Sequence, residues 1–348
     1  MNPLHPLYQQ DLAAVCSSLP DAGALQNAAV MVTGATGMIG ACLTDLLVCL
    51  SRARKLNLRV IAPCRSADRA RARFSYAPEV EILVHDVLSP ADGLPRADYI
   101  VHAASNAHPT AFSADPVGTM LANITGTLHL LEHLRATGGR RFLFISTGEI
   151  YGENPAVTDG FAEDDFGKID SMNPRSCYPE SKRAAETLCA SYVRQYGADA
   201  AVARLCYVYG PTLSPANSRA DAQFLRKALA GEDIVLKSAG SQVRSYCQVT
   251  DAAAALLTIL LKGETGAAYN VANRNSVHSI LEYAETLASL AGVGVTFDLP
   301  PEAERQGYSA VTRAVQKPDR LEALGWSPRL TLREGLSHTL TILKEGQS

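Results

Sequence analysis

Short apolar runs punctuate the first two hundred residues, and the stretches between them keep a different rhythm. AVMVT (29–33), LRVIA (58–62), VEILV (80–84), DYIVHA (98–103), RFLFIS (141–146) and AAVARL (200–205) are nearly continuous in their apolarity. Runs this short without polar alternation predict strands buried on both faces. Between them apolar residues return every three or four positions. Ile39, Leu43, Leu46, Leu47 and Leu50 predict a helix over 38–54, and further helices are expected near 117–136 and 178–196, the latter closed by Gly197. Strands joined by helices in this way predict an α/β chain built on a doubly wound parallel sheet. After about residue 206 the alternation breaks, Pro and Gly recur, and a smaller mixed α/β lobe is expected. The expected division is an N-terminal extension over 1–28, with a short helix around Leu7–Leu19 ended by Pro20, then a main domain over 29–205. A C-terminal lobe follows over 206–348, its boundary interleaved with the main domain.

Composition narrows the function classes. A net charge of −3 over 348 residues gives no electrostatic case for nucleic acid. The eight cysteines include no C-x-x-C and no Cys/His cluster at zinc-ligand spacing, so no metal is expected. Buried free thiols in a reducing cytoplasm are expected instead. The N-terminus lacks a basic region followed by an apolar core, and AAAALLTILL is too short to span a bilayer. A cytoplasmic protein with no membrane partner is the expectation.

Candidate chemistry begins where the first strand runs into TGATGMIGACL. Gly34, Gly37 and Gly40 let the strand turn tightly, let backbone approach a pyrophosphate, and open a helix whose free N–H groups face the anion. That is the Rossmann arrangement for NAD(P). The second strand ends without the usual acid for the ribose 2′-hydroxyl of NAD; Cys64 and Arg65 stand there, and Arg65 could pair with the 2′-phosphate of NADP. A solvated basic helix start is the alternative for Arg65. Asp86 closes the third strand, placed to accept from an adenine amino group or to cap the N-terminus of a helix. Tyr178 and Lys182, in YPESK, lie one helical turn apart on one face. A lysine ammonium beside a tyrosine lowers its pKa and makes the phenolate a base during hydride transfer, and Thr147 can hydrogen-bond the same oxygen.

These residues, with HAAS at 102–105 and Asn123 in NITGT, resemble the extended short-chain dehydrogenase/reductases, the NAD-dependent epimerase/dehydratase family, over about residues 29–340. The resemblance implies cofactor contacts from Met38, Ile39, Val87, Ala103, Ala104, Ser105, Asn123, Tyr178 and Lys182. It implies a nucleotide-sugar substrate and homodimers formed through the helices over 117–136 and 178–196. Within the family, NPRSCYPESKRAAET and GSQVRSY are similar to stretches of the UDP-glucuronate decarboxylases. The implied substrate contacts are Gly148, Tyr207, Lys237 and Arg244.

The implied first step is oxidation of the sugar C4 hydroxyl, with Tyr178 as base. Thr147, Glu149, Tyr151 and Gly152 match a pattern shared by decarboxylases and 4,6-dehydratases. Dehydratases carry an aspartic acid before the glutamate to protonate the departing C6 hydroxyl, and here the residue is Gly148. Decarboxylation needs no such acid, so the expected catalytic set is Thr147, Glu149, Tyr178 and Lys182, acting in a decarboxylase-like reaction. A 4,6-dehydratase is the alternative, then a 4-epimerase or an NADPH-dependent reductase. Glu149 has a structural alternative as partner of a backbone amide. A non-catalytic cofactor sensor would not need the Tyr178/Lys182 pair.

Overall fold

The six apolar runs become six adjacent strands of one parallel sheet, and a seventh strand joins its edge. A computed structural model describes residues 1–19, 21–214, 216–299 and 311–346, so Pro20 lies outside the described residues. The strands are β1 (Ala29–Thr33), β2 (Arg59–Cys64), β3 (Val80–Val84), β4 (Tyr99–His102), β5 (Arg141–Thr147), β6 (Ala200–Leu205) and, after the short β7 (Tyr207–Tyr209), β8 (Ile234–Leu236) and β9 (Val243–Gln248), the edge strand β10 (Ala268–Val271). Their order is β10-β6-β5-β4-β1-β2-β3, and every pair is parallel.

Alternate side chains of each strand enter different cores, which is why the runs are unbroken. Val30, Val32, Leu143 and Ile145 pack with α2 (Met38–Arg54) on one face, while Met31, Phe142 and Phe144 pack into a second cluster on the other. Between β2 and β5 the helices are α3 (Ala67–Arg73), α4 (Pro109–Ala114) and α5 (Pro116–Thr137), and α6 (Cys177–Tyr196) follows β5. Leu130, Leu131 and Leu134 of α5 and Ala185 and Cys189 of α6 fill the second face. Gly197, at φ 64°, ends α6 in the left-handed conformation that glycine tolerates best.

The N-terminal segment is anchored to the body. Helix α1 (Pro6–Ser18) buries Tyr8, Leu12, Val15 and Cys16 in the same core as α2, and Tyr8 Oη donates to Asp45 Oδ2 at 2.7 Å. Beyond β6 the chain builds α7 (Ala220–Leu229) and α8 (Val249–Lys262). It then adds β11 (Val277–Ser279), α9 (Ile280–Ala291), β12 (Val295–Phe297), β13 (Arg313–Ala314), α10 (Asp319–Ala323) and α11 (Leu332–Glu345). β9 pairs with β7, β11 and β13, β8 pairs with β12, and α7, α9 and α11 share a third core with them. The lobe is threaded back into the main body, because α8 packs on α2 and β10 extends the large sheet from β6. Among the described residues no helix is long and apolar enough to cross a membrane, and all eight cysteines are free.

Candidate active site

β1 has β2 on one side and β4 on the other, so a crevice opens at their carboxyl ends, where ligands of such sheets bind. The glycines there are required by space. A Cβ on Gly34, whose φ is +68°, would stand 2.7 Å from the Ala103 carbonyl oxygen. One on Gly40 would stand 2.3 Å from the Gly34 carbonyl oxygen, so neither position accepts a side chain. Gly37 is the N-cap of α2, and Met38 and Ile39 form its first turn with no acidic residue among them. Ala104 N donates to Thr33 Oγ1, tying the end of β4 to the end of β1. Nearby, Ser105 Oγ and Asn123 Oδ1 are buried without a hydrogen-bond partner, although Asn123 Nδ2 donates to Ser181 Oγ. Buried polar atoms left open along a glycine-floored crevice at a helix N-terminus fit a dinucleotide.

Other expected cofactor contacts follow the carboxyl ends of β2 and β3. Asp86 is half-buried and its carboxylate accepts from Leu88 N at 3.0 Å, capping a turn rather than a helix, since among the described residues no helix starts between it and β4. The Val87 side chain would meet a Cβ added to Gly126 on α5, and its carbonyl oxygen lies 3.1 Å from His129 Nδ1. His102 hydrogen-bonds Thr33 through Nδ1 and is held neutral by burial, its pKa pushed down to about 3. Arg65 is exposed directly after β2.

Catalytic candidates meet at the end of β5. Thr147 is its last residue, and the tight turn Gly148–Tyr151 starts there, with Glu149 N donating to Thr147 Oγ1. Tyr178 stands in the first turn of α6, and Lys182 one turn later donates to the Ile145 carbonyl oxygen at 2.7 Å. Burial raises the Tyr178 pKa to about 12, and Arg219 and the Thr147 side chain pull against it. Burial also lowers Lys182, to about 7. Glu149 is half-buried and its Oε2 receives Arg175 Nη1 at 3.3 Å, so its partner is a guanidinium rather than a backbone amide.

Three cations that face this space were only partly visible in the sequence. Arg175 lies within the quoted NPRSCYPES stretch and stands 5.6 Å over Phe112, whose ring stacks on Tyr178 at 5.5 Å. Arg219, at the start of α7, donates to the Ala107 carbonyl oxygen and acts electrostatically on both Tyr178 and Tyr207. No local pattern marks Arg219, because its neighbours come from segments far away in the chain. Arg244 covers the Tyr207 ring at 4.2 Å, so these two expected substrate contacts are brought together. Lys237 is exposed after β8, and no hydrogen bond or ion pair among the described residues joins it to this cluster. The guanidiniums of Arg175, Arg219 and Arg244 are balanced only in part by Glu149 and Asp221, which suits an anionic ligand.

Beneath the turn lies a buried platform. Tyr151 Oη donates to Asn270 Oδ1 at 2.6 Å and receives Arg204 Nη1 at 3.0 Å, while Arg204 also pairs with Glu186. Gln316 Nε2 donates to the Arg204 carbonyl oxygen and to Asn270 Oδ1. Tyr151 therefore fixes the turn that carries Gly148 and Glu149.

Comparison with known proteins agrees with this layout. The model of the NAD dependent epimerase/dehydratase family matches residues 30–272. UDP-glucuronic acid decarboxylase 6 of Arabidopsis thaliana is 33% identical over 316 residues, covering 89% of this chain and 87% of that protein. UDP-glucuronic acid decarboxylase 1 of Xenopus tropicalis is 31% identical over 91% of this chain and 72% of its own length. Among solved structures, a UDP-glucose 4-epimerase of Thermus thermophilus in complex with NAD is 26% identical. It superposes with a TM-score of 0.75 over 91% of this chain and 99% of that one.

Proposed function

The chain belongs to the NAD dependent epimerase/dehydratase family, and we propose that it is a nucleotide-sugar decarboxylase acting on UDP-glucuronate or a close analogue. The observation that carries this reading is the end of β5, where Thr147, Glu149 and Tyr178 converge and the intervening position, Gly148, has no acid. Relatives named as UDP-glucuronic acid decarboxylases, more than 30% identical over most of the chain, support it.

NAD, when bound, would take a hydride from the sugar C4 and return it once carbon dioxide has left. Gly34, Gly37, Met38, Ile39, Gly40, Asp86, Val87, Ala103, Ala104, Ser105 and Asn123 would hold it. Tyr178 receives the C4 hydroxyl proton, with Thr147 hydrogen-bonding the same oxygen. Arg219 favours the phenolate by placing positive charge near it, and Lys182 is assigned to add to that charge when it is protonated. With a ketone at C4 the C6 carboxylate belongs to a β-keto acid. Breaking the C5–C6 bond then leaves its electrons in the enolate, and C5 takes its proton from a water oriented by the Glu149 carboxylate. Arg244 and Tyr207 are assigned to the nucleotide end. A dehydratase would have to protonate a departing C6 hydroxyl, and Gly148 supplies no group for that.

Arg65 is exposed directly after β2, where the usual acid is missing, and could pair with a 2′-phosphate, so NADP is accepted alongside NAD in this reading. Eight free cysteines fit a reducing cytoplasm. A second copy of the chain is the proposed partner, docked on α5 and α6.

The test is incubation with UDP-, dTDP-, GDP- and CDP-sugars, in NAD and in NADP, followed by mass analysis. Carbon dioxide loss from UDP-glucuronate is expected, and Glu149→Gln should slow it at least ~100-fold with NAD affinity unchanged. Water loss from a UDP- or dTDP-hexose would assign dehydration instead, and unchanged mass with altered stereochemistry would assign epimerisation. No turnover of any nucleotide sugar would sink the reading.

A further inference from the structure

Gly148 is a glycine without a backbone reason to be one. It is not in the left-handed region, so an L side chain suits its backbone. What excludes a side chain is Gln316. A Cβ on residue 148 would stand 2.7 Å from Gln316 Oε1 and 2.9 Å from its Cδ, closer than van der Waals contact allows. The Gln316 side chain cannot easily step aside, because the residue is 4% exposed and its backbone N donates to Ser245 Oγ at 3.1 Å. Its Nε2 is held by two acceptors, the Arg204 carbonyl oxygen at 3.0 Å and Asn270 Oδ1 at 2.8 Å. Those two acceptors also fix which amide atom is which, since an oxygen in that place would face two oxygens. Oε1 is thereby turned toward residue 148 and has no hydrogen-bond partner among the described residues.

We propose that Gln316 is a specificity-determining residue of this site. It fills the volume that a side chain at 148 would need and presents a neutral acceptor to the nucleotide sugar where an acid would otherwise stand. The inference rests on the nucleotide-sugar reading above and explains its key residue. A carboxamide neither gives up nor takes a proton in the aqueous range, so the position recognises a sugar hydroxyl without protonating a leaving group. The residue comes from the segment after β13, more than 160 positions away from Gly148 in the chain, so the pairing is made only by the fold.

The experiment is a double-mutant cycle read in two ways. Gly148→Ser is expected to lower Tm by about 3–6 °C, from overpacking against the amide. In the Gln316→Ala background the same serine should cost less than about 1 °C, because the space is then open. Equal effects in both backgrounds would overturn the shared volume. Gln316→Met keeps the bulk and removes the acceptor. It should raise the KM for the nucleotide sugar about fivefold, with kcat changed less than about twofold and NAD affinity unchanged. An unaltered KM would overturn the recognition role even where the Tm cycle shows coupling. If wild type turns over no nucleotide sugar, the proposed function and the recognition role fall together. The Tm cycle still decides the packing claim on its own.

Discussion

Tyr178 and Lys182 illustrate how burial and charge compete at single residues. Removal from water pushes the tyrosine up to about 12 and the lysine down to about 7, so in the free protein both are biased toward their neutral forms. Sequence alone assigned the ammonium of Lys182 to lowering the tyrosine pKa, and the fold adds Arg219 as the first group opposing the burial effect. The lysine has a consequence for stability. Its folded pKa lies below its unfolded value near 10.4, so between about pH 7 and pH 10 the unfolded chain binds more protons than the folded one. Stability from this group therefore rises with pH through that window, and the charge is a liability below it. Lys182→Met should raise the Tm of the cofactor-free protein at pH 7 and flatten its rise toward pH 10. A Tm profile parallel to wild type would show that Lys182 is not desolvated as described.

At the level of elements, legibility followed the range of the interactions involved. The inner strands could be read because burial on both faces leaves unbroken apolar runs, and α2, α5 and α6 because local spacing and caps mark them. β10 was not read. Its sequence AYNV places Asn270 inside the sheet, and only tertiary partners such as Tyr151 and Gln316 satisfy that side chain. The Tyr178/Lys182 motif was legible as one helical turn, while Arg219 and Gln316 reach the site from distant segments. Helix α1 shows the same limit. The sequence marks a short helix there, but not the buried Asp45 beneath it, which takes Tyr8, Arg73 and Tyr76 as donors. Removing one charge from such a pair leaves the other poorly compensated. Asp45→Asn is therefore expected to lower unfolding free energy by about 3 kcal/mol in a denaturant titration, with NAD affinity unchanged. A loss below about 1 kcal/mol would mean that α1 is held by its apolar contacts alone.

For the whole molecule, the open question is what covers the outer side of α5. This helix sends Thr119, Asn123, Gly126, Leu130 and Leu134 inward, where Asn123 Oδ1 is buried without a hydrogen-bond partner. Val117, Met120, Leu121 and Leu128 lie on one face of the helix, at spacings of three, four and seven residues, and all four are exposed, Val117 at 67%. A helix apolar on a second face needs a second partner, and α6, its neighbour, carries Tyr178 and Lys182. A second copy docked on this stripe would cover apolar surface directly behind the helices that place Asn123, Tyr178 and Lys182, stiffening the site from outside. The expectation is a dimer in light scattering that Val117→Glu with Leu121→Glu converts to a monomer, because an unpaired buried carboxylate is not tolerated at a symmetric apolar contact. The separated monomer should keep its fold by circular dichroism and lose turnover at least about fivefold, as α5 and α6 lose their backing. A wild-type protein that scatters as a monomer at micromolar concentration would remove the dimer from the proposal and leave the stripe without an assigned partner.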